Sequence, residues 1–190
     1  LDVEAPAAVP EWTGTPKAAI TLLDLLEMRS GLHFVEDYVD GDVSHVIDML
    51  FGGGSDDHAA YAAALPLDHD PGTIWNYSSG TTNIVSRVIG DVVARDAGAT
   101  APESRQVAIE SWLCERLFAP AGMHSATPKF DGSGNWVGSS YVFATARDFA
   151  RFGELYRNDG AVESGDRGLP AGWADHGRTF TSVHERLLAA

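Results

Sequence analysis

The chain has 190 residues, 44% hydrophobic and 21% charged, which is enough apolar material to bury a core and too much for disorder along most of its length. Thirteen Lys and Arg stand against 27 Asp and Glu, and the resulting net charge of -14 argues against a nucleic-acid partner. The longest apolar runs, such as Leu22 to Leu26 with Asp24 inside it, fall far short of the roughly 20 residues of a membrane-spanning helix.

Pro6, Pro10 and Pro16 deny residues 1–17 a helix interior, so this segment is expected to be extended or irregular. Thr21-Leu22-Leu23-Asp24 reads as an N-cap followed by an acid at the third helical position, and Leu22, Leu25, Leu26 and Met28 follow at helical spacing until Ser30-Gly31. A short helix is expected from about Val43 to Leu50, breaking at Gly52-Gly53-Gly54. Another runs from a Ser55 cap through Ala59, Ala60, Tyr61 and Ala64 to Pro66. Pro71-Gly72 marks a turn, with Tyr77 just beyond it. Ile84, Val85, Val88, Ile89, Val92 and Val93 repeat as pairs every four residues, the stripe of a buried helix between Gly80 and Gly98. Val107, Trp112, Leu113, Leu117 and Phe118 suggest a further helix ending at Pro120, and residues 125–143, with Gly132, Gly134 and Gly138, suggest strands or extended loop. Thr145-Ala146-Arg147-Asp148 reads as a capping box for a helix that buries Phe149, Phe152 and Tyr156 and closes at Gly160. Residues 162–190 form a polar, poorly periodic tail.

Several residues invite chemistry that their context does not support. Asp68-His69-Asp70 are all metal-ligand types, but neighbours on an extended segment point to opposite faces and no second ligand cluster is evident, so no metal is expected. Gly52-Gly53-Gly54-Ser55 lacks the lysine of a phosphate loop and reads as a flexible connection. Cys114, the single cysteine, allows neither an internal disulfide nor a cysteine-based zinc site, and beside Trp112 and Leu113 it is expected to be a buried, inert thiol. From spacing alone Tyr77 is an aromatic packed after a turn, and Ser78 and Ser79 are helix caps.

Three segments in register carry a resemblance. Residues 20–32 (Ile-Thr-Leu-Leu-Asp-Leu-Leu-Glu-Met-Arg-Ser-Gly-Leu), residues 71–80 (Pro-Gly-Thr-Ile-Trp-Asn-Tyr-Ser-Ser-Gly) and residues 117–123 with 138–153 resemble the serine hydrolases related to beta-lactamases and penicillin-binding proteins. Within them, the Ser-Ser-Gly after Tyr77 and the Val137-Gly138-Ser139-Ser140-Tyr141 segment look most like the branch of class C-like esterases, amidases and 6-aminohexanoate-oligomer hydrolases. The match extends from Leu1 to about Trp173.

The resemblance implies an α+β fold of the beta-lactamase/transpeptidase type, with this chain supplying mainly the helical half. It also implies cleavage of a small-molecule ester, amide or lactam through a serine acyl-enzyme, with no cofactor and no obligate partner. Tyr77 takes the general base and acid role, and Ser79 the third position of the tyrosine motif, where a polar side chain orients substrate or the catalytic lysine. Ser79 departs from the commoner Asn and so lacks its amide donor. Tyr141, in a loop with Ser133, Ser139 and Ser140, is a candidate substrate contact. A phenol ordinarily titrates near 10, so a tyrosine base of this kind needs cationic company. By the same resemblance the protein is expected to be periplasmic, secreted or envelope-associated.

The family's nucleophile lies in Ser-x-x-Lys, and this chain has none. Its two lysines, Lys17 and Lys129, are preceded at the third position by Gly14 and Ala126. The family's later Lys-Thr-Gly or His-x-Gly is not matched either, since His176-Gly177-Arg178 comes in the wrong context. Residues 1–190 therefore read as one partial domain, truncated at both ends and inactive alone. Without the sheet, the apolar faces of the Leu22 and Ile84 helices are expected to stay partly exposed. A non-catalytic scaffold or interaction module is the alternative.

Overall fold

The computed structural model describes residues 1–38, 43–162 and 167–179. The proline-rich start makes two 3-10 turns, Pro10–Trp12 and Pro16–Ala19, each with proline in its first turn where no backbone N–H is needed. The turns bring Trp12 Nε1 and Lys17 Nζ onto the Ala63 carbonyl at 3.0 and 2.8 Å. Helix α1 (Leu22–Leu26) opens with the expected capping box, Thr21 accepting from the Asp24 N–H and Asp24 from the Thr21 N–H. It stops four residues before Ser30-Gly31. Met28 turns left-handed at φ 57°, which frees the Met28, Arg29 and Gly31 carbonyls for hydrogen bonds to the segment 68–76.

Helix α2 (His45–Phe51) starts at a Ser44 cap and ends at Gly52, close to the expected span. Helix α3 (His58–Ala64) is capped by Asp57 rather than Ser55, because the Asp57 carboxylate accepts the Ala60 N–H while Ser55 is still in the preceding turn. Helix α4 (Ser79–Asp96) is the spine, and of its paired apolar residues Ile84 and Val88 are buried against Leu22, Leu25, Leu32, Phe34, Val46, Met49, Ala62 and Ala63, while Val85, Ile89, Val92 and Val93 are half-buried. Each fully buried aliphatic side chain of this kind contributes about 1.5–3 kcal/mol. Leu22 and Ile84 are thus buried, contrary to the exposure expected of them, since the N-terminal segment and α3 cover them. Helices α3 and α4 approach closely at small residues. A Cβ at Gly80 would stand 2.5 Å from the Phe34 ring and 2.8 Å from the Ala62 Cβ.

Helix α5 (Pro102–Leu113) starts with a proline before the expected residues, and a π turn over Cys114–Phe118 follows, with the Ala119 N–H on the Cys114 carbonyl. That turn rotates Cys114 outward, so the thiol is exposed and not buried as expected. Strands β1 (Thr127–Pro128) and β2 (Val142–Phe143) pair antiparallel, Thr127 opposite Phe143, in the region expected to be extended. A second apolar cluster gathers here around Ile109, Leu113, Phe118 and Met123. Helix α6 (Ala146–Arg157) has its Thr145 cap, but Asp148 spends its carboxylate on the Ser125 N–H and hydroxyl at 2.7 Å each and on Arg151 instead of closing a capping box. Leu155 is the buried apolar residue of α6, while Phe149 and Tyr156, expected inside, are exposed. The tail yields one unexpected helix, α7 (Trp173–Arg178), whose His176 lies 3.6 Å from Glu27; the rest of the tail reading, at 163–166 and 180–190, lies outside the described residues. No helix among the described residues is long and apolar enough to cross a membrane.

Candidate active site

Two of the three segments that carry the resemblance are knitted together. Gly31 accepts the Asp68 N–H at 2.9 Å, Arg29 accepts the Gly72 N–H at 2.8 Å and returns its guanidinium to the Gly72 carbonyl at 3.1 Å, and Met28 accepts the Asn76 N–H at 2.8 Å. Gly31 sits at φ 75° with no room for a Cβ against the His69 carbonyl, so only glycine suits this crossing. The Asn76 amide then donates to the Phe34 carbonyl at 3.0 Å. Pinned on both sides, the chain at residues 76–78 is delivered to the start of α4.

There Ser78 caps the helix, its buried hydroxyl accepting from the Thr81 N–H at 2.9 Å. Ser79, the first helical residue, is 4% exposed, whereas Tyr77 is 52% exposed. Tyr77 and Ser79 are therefore brought to one helix start, Tyr77 at its surface and Ser79 beneath it.

Two residues that sequence reasoning passed over complete the surroundings. The Glu36 carboxylate accepts the Ser79 N–H at 2.8 Å and the Ser79 hydroxyl at 2.5 Å. Tyr38 is largely exposed, and its phenol is pushed above its ordinary value, first by burial and then by the Glu36 charge, by Tyr77 and by a hydrogen bond to Glu36. The pairing of Glu36 with Ser79 spans 43 residues, so no local spacing announced it. The only available signal was an acid and an aromatic in Glu36-Asp37-Tyr38, shortly after the Gly31 turn.

The third segment approaches α4 one turn further on. Asn83, buried on α4 four residues after Ser79, donates to the Ser139 hydroxyl at 3.1 Å, and Ser139 lies 3.3 Å from the Ser140 hydroxyl. Tyr141 itself is half-buried and stacks on Phe143, with its backbone bonded to Lys129 and Val137. None of these contacts joins it to Tyr77 or Ser79. Asp68 of the Asp68-His69-Asp70 run pairs with His33, and no group of three or more His, Cys, Asp or Glu side chains among the described residues is placed to hold a metal ion. A cavity of about 440 Å³ between residues 119–122 and α6 contains none of Tyr77, Ser79 or Tyr141 in its wall.

An exposed tyrosine thus stands two residues before a buried serine, at the capped start of the long central helix. The beta-lactamase family profile matches residues 1–186, and the chain belongs to that family. The 6-aminohexanoate-dimer hydrolase of Paenarthrobacter ureafaciens is 29% identical over 174 residues, which cover 88% of this chain and 41% of that protein. A provisionally named 6-aminohexanoate-dimer hydrolase of Bacillus anthracis superposes with a TM-score of 0.70 at 21% identity, over 93% of this chain and 46% of the other. A provisionally named beta-lactamase of Bacteroides dorei DSM 17855 superposes with a TM-score of 0.61 at 19% identity, over 92% and 48%. The chain thus has a beta-lactamase-like fold, represented by its helical part, and spans less than half the length of these relatives.

Proposed function

We propose that this chain is the helical part of a serine hydrolase that cleaves an ester, amide or lactam through an acyl-enzyme, with the nucleophilic Ser-x-x-Lys outside residues 1–190. The observation that carries the reading is the exposure of Tyr77 beside a buried Ser79 whose hydroxyl donates to Glu36. Core aromatics hide their rings, but a proton-moving phenol has to reach its substrate.

In this reading the ionised Tyr77 takes the proton of the nucleophilic serine as the serine oxygen bonds to the carbonyl carbon. It gives that proton to the leaving oxygen or nitrogen as the old carbonyl bond breaks, which leaves an acyl-serine and a free alcohol or amine. Water then repeats the sequence, losing its proton to Tyr77 and releasing the acid. Lys17 is held on the Ala63 carbonyl, and by the family resemblance the cation that assists Tyr77 belongs to the Ser-x-x-Lys segment. Ser79 orients the substrate, and Tyr141 meets its acyl part through the loop that Asn83 holds at Ser139.

Fluorophosphonate labelling tests the reading. Residues 1–190 alone should take up no label, and the polypeptide carrying the whole domain should take up one equivalent on the serine of Ser-x-x-Lys. The absence of that motif from this chain supports a second reading, a non-catalytic scaffold, and a whole domain that takes up no label would favour it.

A further inference from the structure

Phe34, Val35 and Glu36 hold the start of α4 with their outer members and are themselves held by α2 at the middle one. The Phe34 carbonyl accepts the Asn76 side-chain amide at 3.0 Å, and the Phe34 ring closes on Gly80, where a Cβ would stand 2.5 Å away. The Glu36 carboxylate accepts the Ser79 N–H at 2.8 Å and the Ser79 hydroxyl at 2.5 Å. Between them, both backbone groups of Val35 go to the first residue of α2. The Val35 carbonyl accepts the His45 N–H at 3.1 Å, and the Val35 N–H donates to His45 Nδ1 at 2.9 Å. An imidazole nitrogen accepts a hydrogen bond only while it carries no proton, so this clamp requires a neutral His45 with its hydrogen on Nε2. In the imidazolium both ring nitrogens are donors, and the Nδ1 hydrogen would face the hydrogen of the Val35 N–H.

We propose that His45 is a positioning residue of this site: its neutral imidazole clamps Val35, and protonation opens the clamp and loosens the hold of Phe34 and Glu36 on the start of α4. The groups that face the ring set the pH at which this happens. His33 meets it edge to face with ring centroids 5.1 Å apart, and is itself paired with Asp68 of the following loop. Asp48, three residues further along α2, takes a hydrogen bond from Tyr61 of α3, whose ring centroid lies 6.5 Å from that of His45. Burial first, and then a charge on His33, hold the imidazole below its usual 6.5, against the opposite pull of Asp48 and Asp68. The clamp is therefore closed at neutral pH and opens as the pH falls through a value below 6.5. That hydrolysis follows the clamp rests on the hydrolase reading above, whereas the clamp itself rests on Val35 and His45 alone.

The first test needs no catalysis. In the isotopically labelled chain, the ring nitrogens of His45, the Val35 and Ser79 amides and the Asn76 side-chain amide are followed by NMR from about pH 8 to about pH 5. His45 should show a bare Nδ1 at the alkaline end, and the three amides should shift with one midpoint, that of His45. His45→Asn, whose side-chain oxygen can take the Val35 N–H but does not titrate, should keep the alkaline spectrum and lose the shared transition. His33→Gln should keep the transition and move it to higher pH, because an opposing charge is gone. A hydrogen on Nδ1 at alkaline pH, a Ser79 amide that ignores the His45 titration, a transition unchanged in His45→Asn or one lost in His33→Gln would overturn the proposal. The second test reads the acid limb of kcat/KM for a chromogenic ester on the whole domain, which His45→Asn should move to lower pH. An acid limb in the same place would mark His45 as structural only. If the ester is not hydrolysed, the hydrolase reading fails while the amide titration still decides the clamp.

Discussion

His58 at the start of α3 and Asp131 in the β1–β2 connection lie side by side in the interior, the imidazole Nδ1 3.8 Å from the carboxylate and too far for a hydrogen bond. Asp131 is held by the backbone N–H groups of His58, Ser133 and Asn135, so it ties the hairpin to α3. Both imidazole nitrogens are buried without a hydrogen-bond partner among the described residues. Burial depresses the His58 pKa below 6.5, more strongly than the Asp131 and Asp57 charges raise it.

The unfolded chain therefore takes up this proton more readily than the folded one, and stability should fall as the pH drops below 6.5. His45, also depressed by burial, works in the same direction. Asp131, raised by burial, works in the opposite sense: its contribution is present below the ordinary carboxylate value of 3.8 and is lost as pH rises through its folded value. Urea unfolding at about pH 7.5 and about pH 5.5 should show a lower midpoint at the acid value, and His58→Phe should lose much of that difference. An identical pH dependence in the variant would show that His58 is not a source of it.

Gly80→Ala should cost about 1–3 kcal/mol, because the added methyl meets the Phe34 ring and Ala62, neither of which can swing away. A variant as stable as the parent would mean that α3 and α4 stand further apart.

Ser78→Ala removes the buried cap of α4 and should lower stability by about 1 kcal/mol, measured as a shift in the urea midpoint at constant slope.

Cys114 is the single thiol, and its exposure predicts complete reaction with a maleimide in native buffer. Labelling that requires denaturant would place it back on the inward face of the helix.

The sequence showed the spine of this fold because α4 repeats its signal: apolar pairs over three turns, a serine cap before and a glycine after. It also showed Tyr77, since a proline-glycine turn and a capped helix bracket that residue whatever its role. What it hid was decided by partners far along the chain. Asp148 looked like half of a capping box until Ser125 took its carboxylate, and α6 buries Asp148 and Leu155 where Phe149 and Tyr156 were expected inside. Cys114 looked buried because spacing carries no mark of a π turn. Glu36 had no periodicity to betray it, as its meaning lies in Ser79, 43 residues away.

The most direct measurement is the acylation rate of the whole domain with a chromogenic ester, compared between the parent and Tyr77→Phe. Because Tyr77 is half exposed, the substitution should leave the thermal midpoint essentially unchanged while acylation slows about 10²- to 10⁴-fold. An acylation rate equal to that of the parent, in a variant equally stable, would remove Tyr77 from the chemistry and contradict the account at its centre.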